Sequence, residues 1–215
     1  ARVADPLEGY SGVTSQDSVM TEIRNSSTGE VLCTSLNKLA DLDLKTDLEL
    51  PEYAAPRGLQ DPEMRFAGIS MTEAKKIGFR TIGKGVVHQD ECMSNGHLQI
   101  HNYMGRFSDS MPNLWGVLYP EATTETEGGA VLEYRMDYSR PLKSGDRYEL
   151  VSGFREAGSK TIRFAHLLFD VGSQQCCVSG ESIGVRMDLV KRKAKAISAQ
   201  LKASLEKIQI HPRSD

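Results

Sequence analysis

"GHLQIHNYMGRFSDSMPNLWGVL", residues 96–118, is the stretch on which the reading of this chain turns. Apolar residues recur at Ile100, Tyr103/Met104, Phe107, Met111, Leu114/Trp115 and Leu118. Steps of three and four lay them on one stripe of a helix running from about Gly96 to Leu118. A helix apolar along most of its length needs a sheet wrapped around it. Pro112 is expected to kink or restart the helix, with Asp109 or Ser110 capping the restarted part. Just upstream, "HQDECMSN" (88–95) brings the carboxylates Asp90 and Glu91 together with Asn95.

The flanks read as antiparallel strands. A strand is expected over Phe79–His88. "VLEYRMDYS" (131–139) alternates, with Leu132, Tyr134, Met136 and Tyr138 on one face and Glu133, Arg135 and Asp137 on the other. "RPLKSGD" (140–146) is a turn, because Pro141 restricts φ and Gly145 supplies a conformation that side chains disfavour. "RYELVSGF", "KTIRFAHLLF" and "QCCVSGESIGVRMDLV" follow as strands, separated by "REAGS" and "DVGSQ".

The N-terminal part repeats this strand region weakly. Asp5, Gly12 and Ser18 fall on Asp146, Gly153 and Ser159, and further on Cys33 meets Cys177 and Asp43 meets Asp188. The offset drifts by a few residues, as a shortened hairpin would cause. The resulting organisation is a partial first repeat of strands over residues 1–49 and a Pro-containing linker over 50–72. A complete second repeat occupies 73–190, and a basic, solvated helix and tail 191–215. The first repeat lacks a counterpart of the opening strand and helix, so a further N-terminal segment is expected.

Composition narrows the function classes. The 215 residues are 39% hydrophobic and 26% charged, with a net charge of −3, as in ordinary soluble domains. That balance argues against a dedicated nucleic-acid binder, and no apolar run is long enough for a membrane span. Four cysteines without a Cys-x-x-Cys pair suggest reduced thiols in a cytoplasmic setting, and argue against a zinc site. His97 and His101, four apart, lack an identifiable third ligand, so no metal is expected. Cys92 has only proximity to a histidine to recommend it as a nucleophile.

"GHLQIHNY" resembles the "GHVNNxxY" segment that opens the helix of hotdog-fold proteins, in the 4-hydroxybenzoyl-CoA thioesterase-like and plant acyl-carrier thioesterase families. Gly96, His97 and Tyr103 fall on its Gly, His and Tyr, and Gln99 replaces the first Asn. "RPLKSGD" is similar to the family's "P-x-x-x-GD" turn, and "NSSTGEVLCTS" (25–35) resembles its "TGEVxA" hairpin. The resemblance implies an α+β double hotdog fold: two tandem copies of a curved antiparallel sheet around a long helix, the first incomplete. It implies hydrolysis of an acyl-CoA or acyl-carrier thioester, without a cofactor. Possible association through hotdog sheets follows from the same likeness. Many relatives carry an Asp three residues before the Gly of "GH", and Met93 stands there instead.

Thioester hydrolysis requires a polarised carbonyl, a carboxylate and a dry acyl slot. Gly96 at the helix N-terminus is expected to give the oxyanion contact. Glu91 or Asp90 would serve as base or nucleophile, with Asn95 and His97 orienting. Acids also gather at helix starts for electrostatic reasons alone, and Asn95 suits an N-cap equally well. Gln99, Tyr103 and Asp109 complete the candidates on the substrate side. Tyr103 is equally a core residue, and Asp109 is either an alternative acid or the cap at Pro112. Lys75, Lys76, Arg140 and Lys143 are cations available to coenzyme A phosphates. A dehydratase of the same fold would carry "GDxNPxH", whereas Gly145-Asp146 is followed by "RYEL". The rival of a different class is a catalytically silent acyl-CoA-binding or assembly module.

Overall fold

The computed structural model describes residues 6–14, 18–38, 49–60, 66–118 and 126–212. The chain divides into two compact units, Ala1–Arg57 and Gly58–Asp215. Asp5 and Asp43, matched to Asp146 and Asp188 in the repeat, lie outside the described residues, as does the Leu118 side chain.

The first unit is a three-stranded antiparallel sheet in the order β1 (Leu7–Thr14), β2 (Ser18–Asn25), β3 (Val31–Lys38). Asn25 turns the second hairpin: its Oδ1 accepts the N–H groups of Ser27 and Thr28, the local bond that makes Asn a turn residue.

In the second unit come α1 (Met71–Lys76), β4 (Arg80–Val86), α2 (Ile100–Leu118) and β5 (Glu127–Tyr138). Then follow β6 (Arg147–Ala157), β7 (Thr161–Asp170), β8 (Cys176–Asp188), β9 (Lys193–Ala194) and α3 (Ala199–Glu206). The sheet runs β4-β6-β7-β8-β5, with β9 added to β8, and every pairing is antiparallel. The meander β6-β7-β8 has the same connectivity as β1-β2-β3. Gly12 pairs with Met20, whereas Gly153, 141 positions on, pairs with Ala165, 145 positions beyond Met20. The drift therefore falls inside the first hairpin, and the alignment of Ser18 with Ser159 does not hold.

Strand alternation divides the core between the two faces of the second sheet. Leu150, Phe154, Phe164, Leu168 and Val178 pack with Tyr103, Phe107 and Leu114 of α2. Val151, Ala165, Leu167 and Phe169 pack on the other side with Phe66, Ala74, Phe79 and Ile210. The buried stripe of α2 is thus narrower than the periodicity suggests. Ile100 is 60% and Met104 43% exposed. On β5 a register shift between Val131 and Glu133 displaces Leu132, which is exposed, while Tyr134 and Met136 pack on the core.

Three other expectations are corrected. The helix begins at Ile100 rather than Gly96, because Gly96 (φ +78°) sits in the left-handed region and cannot start it. It also continues past Pro112 without a restart to be capped, and Asn113 Nδ2 donates to the Ile82 carbonyl at 2.6 Å, tying α2 to β4. Finally, the C-terminal helix is short and docked. Leu201 and Leu205, four apart, are buried in the α2-side core despite the surrounding lysines.

Candidate active site

The connection from β4 to α2 is held at both ends by the turn between β5 and β6. Gly145 N–H donates to the Val87 carbonyl, Leu98 N–H to the Leu142 carbonyl, and Ser144 N–H to the Gly96 carbonyl. Tyr103 accepts the Leu142 N–H on its hydroxyl at 2.8 Å. The segments "GHLQIHNY" and "RPLKSGD", far apart in sequence, are therefore one hydrogen-bonded unit in space. Tyr103 is buried and engaged in holding that turn, so it is a core residue rather than part of a substrate surface.

Glu91 ends a short 3-10 turn, Gln89–Glu91, and is anchored through main chain and side chain alike. Its carbonyl accepts Gln99 N–H at 3.0 Å and Asn102 Nδ2 at 3.0 Å, which brings the residue to the start of α2. Its Oε2 accepts His88 N–H at 2.8 Å and Arg106 Nη2 at 2.8 Å. Burial pushes the carboxyl up, but the His88 N–H and the Arg106 guanidinium outweigh it and hold Glu91 below the usual carboxylate range. Glu91 is thus an anion at neutral pH.

The helix start carries the backbone N–H groups of the site. The N–H groups of Gly96, His97, Leu98 and Gln99 are engaged by the Met93 carbonyl, Asn95 Oδ1, the Leu142 carbonyl and the Glu91 carbonyl. Among the described residues the N–H groups of Ile100 and His101 have no such partner, as expected in the first turn of a helix. The backbone donors left open among the described residues are therefore four and five residues beyond Gly96, which shapes the turn. Asn95 accepts the His97 N–H within this turn instead of capping the helix.

The other candidates are more loosely placed. Asp90 is exposed beside Glu91. His97 is half-buried in the turn and His101 is exposed on the helix, so the two do not share a helix face. Gln99 Nε2 donates to the Cys92 carbonyl. Asp109 is exposed one turn past Arg106. Arg140 is engaged by Ser173 and Gln175, and Lys75 by Glu149. Lys143 stands beside the site, bridged through its main chain to His97. Sequence reasoning missed Arg106 and Asn102. The available signal was an arginine at the position three after Tyr103, on the apolar stripe, since a buried cation demands a partner.

A long helix packed on an antiparallel sheet is the arrangement expected of the hotdog fold. The chain belongs to the thioesterase-like superfamily, whose family model matches residues 86–205, more than half of its length. Among solved structures it is similar to YbaW, a probable thioesterase from Escherichia coli, at 17% identity and a TM-score of 0.51. That match covers 60% of this chain and 98% of YbaW. It is similar also to SAV2348 from Staphylococcus aureus, solved in complex with CoA, at 15% identity, a TM-score of 0.53, and 64% and 90% coverage. A third, Slr0204, a 1,4-dihydroxy-2-naphthoyl-CoA thioesterase from Synechocystis, shows 12% identity, a TM-score of 0.51, and 61% and 98% coverage. No curated protein matches the sequence.

Proposed function

We propose that this protein hydrolyses the thioester of an acyl-CoA or acyl-carrier substrate at the start of α2. The observation that carries the reading is the Glu91 carboxylate, docked at a helix start whose first N–H groups are unpartnered among the described residues. The N–H groups of Ile100 and His101 receive the negative charge that develops on the carbonyl oxygen. Glu91, with one oxygen engaged by Arg106, presents the other as base toward water or as nucleophile toward the carbonyl. Asp90 and Asp109 are the alternative acids. His97 and Asn95 shape the approach, and Lys143 stands where a CoA phosphate could meet a cation. The CoA-bound relative supports the choice of substrate class.

A tandem hotdog arrangement is part of the proposal. The support is β1-β2-β3, which repeats the connectivity and antiparallel pairing of β6-β7-β8. One observation favours the rival, a silent acyl-CoA-binding module: an ion-paired carboxylate is a weakened base. Calorimetric titration with acyl-CoAs of short, long and aromatic acyl groups, run beside thiol release, separates the two. Binding with turnover of one acyl class is expected, while binding without turnover of any class would replace hydrolysis with the binding module.

A further inference from the structure

We propose that Arg106 is the positioning residue that holds and aims the Glu91 carboxylate through Oε2, and that Tyr148, seated on Gly85, keeps Arg106 in place. The inference rests on Glu91 being the working carboxylate.

The geometry forms a continuous stack across three elements. Gly85 of β4 pairs with Tyr148 of β6. A Cβ at Gly85 would meet the Tyr148 ring and hydroxyl at 2.6–3.0 Å, so only glycine leaves room for that ring here. The Arg106 guanidinium lies 4.7 Å from the Tyr148 ring centroid. From α2, Arg106 Nη1 reaches the Asn102 carbonyl and Nη2 reaches Glu91 Oε2. Arg106 is 9% exposed, and its buried Nε has no hydrogen-bond partner among the described residues. A cation so desolvated is costly unless an anion and an aromatic face compensate it, and both are present. The guanidinium contacts Oε2, and among the described residues no hydrogen bond engages Oε1.

Charged and titratable groups around the Glu91 carboxyl come from each neighbouring element. His88 and Asp90 lie in its own turn and Cys92 just after it, Arg106 comes from α2, and Tyr148 of β6 stands behind Arg106. Arg106 is the only cation paired with Glu91 among the described residues. Without it, burial, which raises the carboxyl, is opposed by His88 alone, so the carboxyl moves upward. The working form would then be lost as pH falls through a higher value.

The test is the pH profile of kcat/KM for acyl-CoA hydrolysis by wild type, Arg106→Gln, Arg106→Lys, Tyr148→Leu and Tyr148→Phe, with Glu91→Gln alongside. Arg106→Gln should move the acid limb up by about one pH unit or more. At the acid end of the profile it should lose up to about tenfold in kcat for each pH unit the limb moves, with KM little changed and recovery at high pH. Arg106→Lys should recover part of the shift, and Tyr148→Leu should show a smaller shift in the same direction, while Tyr148→Phe, which keeps the ring, should match wild type. If Arg106→Gln does not fold, the lysine and Tyr148 variants carry the same comparison. Acid limbs unmoved in these variants, with Glu91→Gln inactive, would overturn the role of Arg106 alone. Full activity in Glu91→Gln would overturn the underlying reading of the site.

Discussion

At the scale of single residues, two buried ionisable groups of the second unit are accommodated in different ways. Arg106 is paired, whereas His166 is kept neutral. His166 lies between Ser152 Oγ on Nδ1 and Ser182 Oγ on Nε2, each at 2.7 Å, beneath Phe107 and Phe164. Burial pushes its pKa down from 6.5 to about 3, so one hydroxyl donates to the ring and the other accepts from it. The folded pKa lies below the unfolded one, so below pH 6.5 the unfolded chain binds the extra proton. Stability should therefore fall with pH between about 6 and 4, by up to about 1.4 kcal/mol per pH unit from this residue. Urea unfolding across that range should give a shallower dependence in His166→Gln, and parallel slopes would contradict this account. Such residues are hard to read from sequence, because "RFAHLLF" shows an apolar strand but not the two serines that satisfy its histidine. Glu91 was legible from its place before the helix. Its partner, 15 positions on, was not, since nothing local links the two.

At the scale of elements, alternation and helical period revealed much of the second sheet and α2, because each signal arises from one buried face. What they left out depended on contacts beyond the element. The start of α2 moved from Gly96 to Ile100 because the turn preceding it pairs with residues 142–144, about forty positions away. The final helix was misread for a related reason. Its lysines suggest a solvated surface, yet Leu201 and Leu205 share one face and insert into the core. Leu205→Ala should cost about 2–5 kcal/mol, as for other fully buried leucines. Thermal or urea unfolding would measure it, and a cost within about 0.5 kcal/mol, as on a solvated surface, would contradict the docking.

At the scale of the whole molecule, the two units differ in how much core each contains. Two apolar clusters serve the second sheet. In the first unit only Met20 and Ala54 are buried apolar residues among those described, while Leu7 and Tyr10 are more than half exposed. A three-stranded sheet with so little buried surface is marginal by itself. Expressed separately, residues 58–215 should fold cooperatively and residues 1–57 should not, as judged by amide dispersion in NMR spectra; a well-dispersed spectrum from 1–57 would contradict this. Membership of the thioesterase-like superfamily and the docked Glu91 lie together in the second unit. The central claim is that this carboxylate works at the start of α2. Its most direct test is kcat for thiol release from the best acyl-CoA, compared between wild type and Glu91→Gln, whose amide can still accept from Arg106. The account predicts a loss of about a hundredfold or more in a folded variant, and a rate equal to wild type would contradict it.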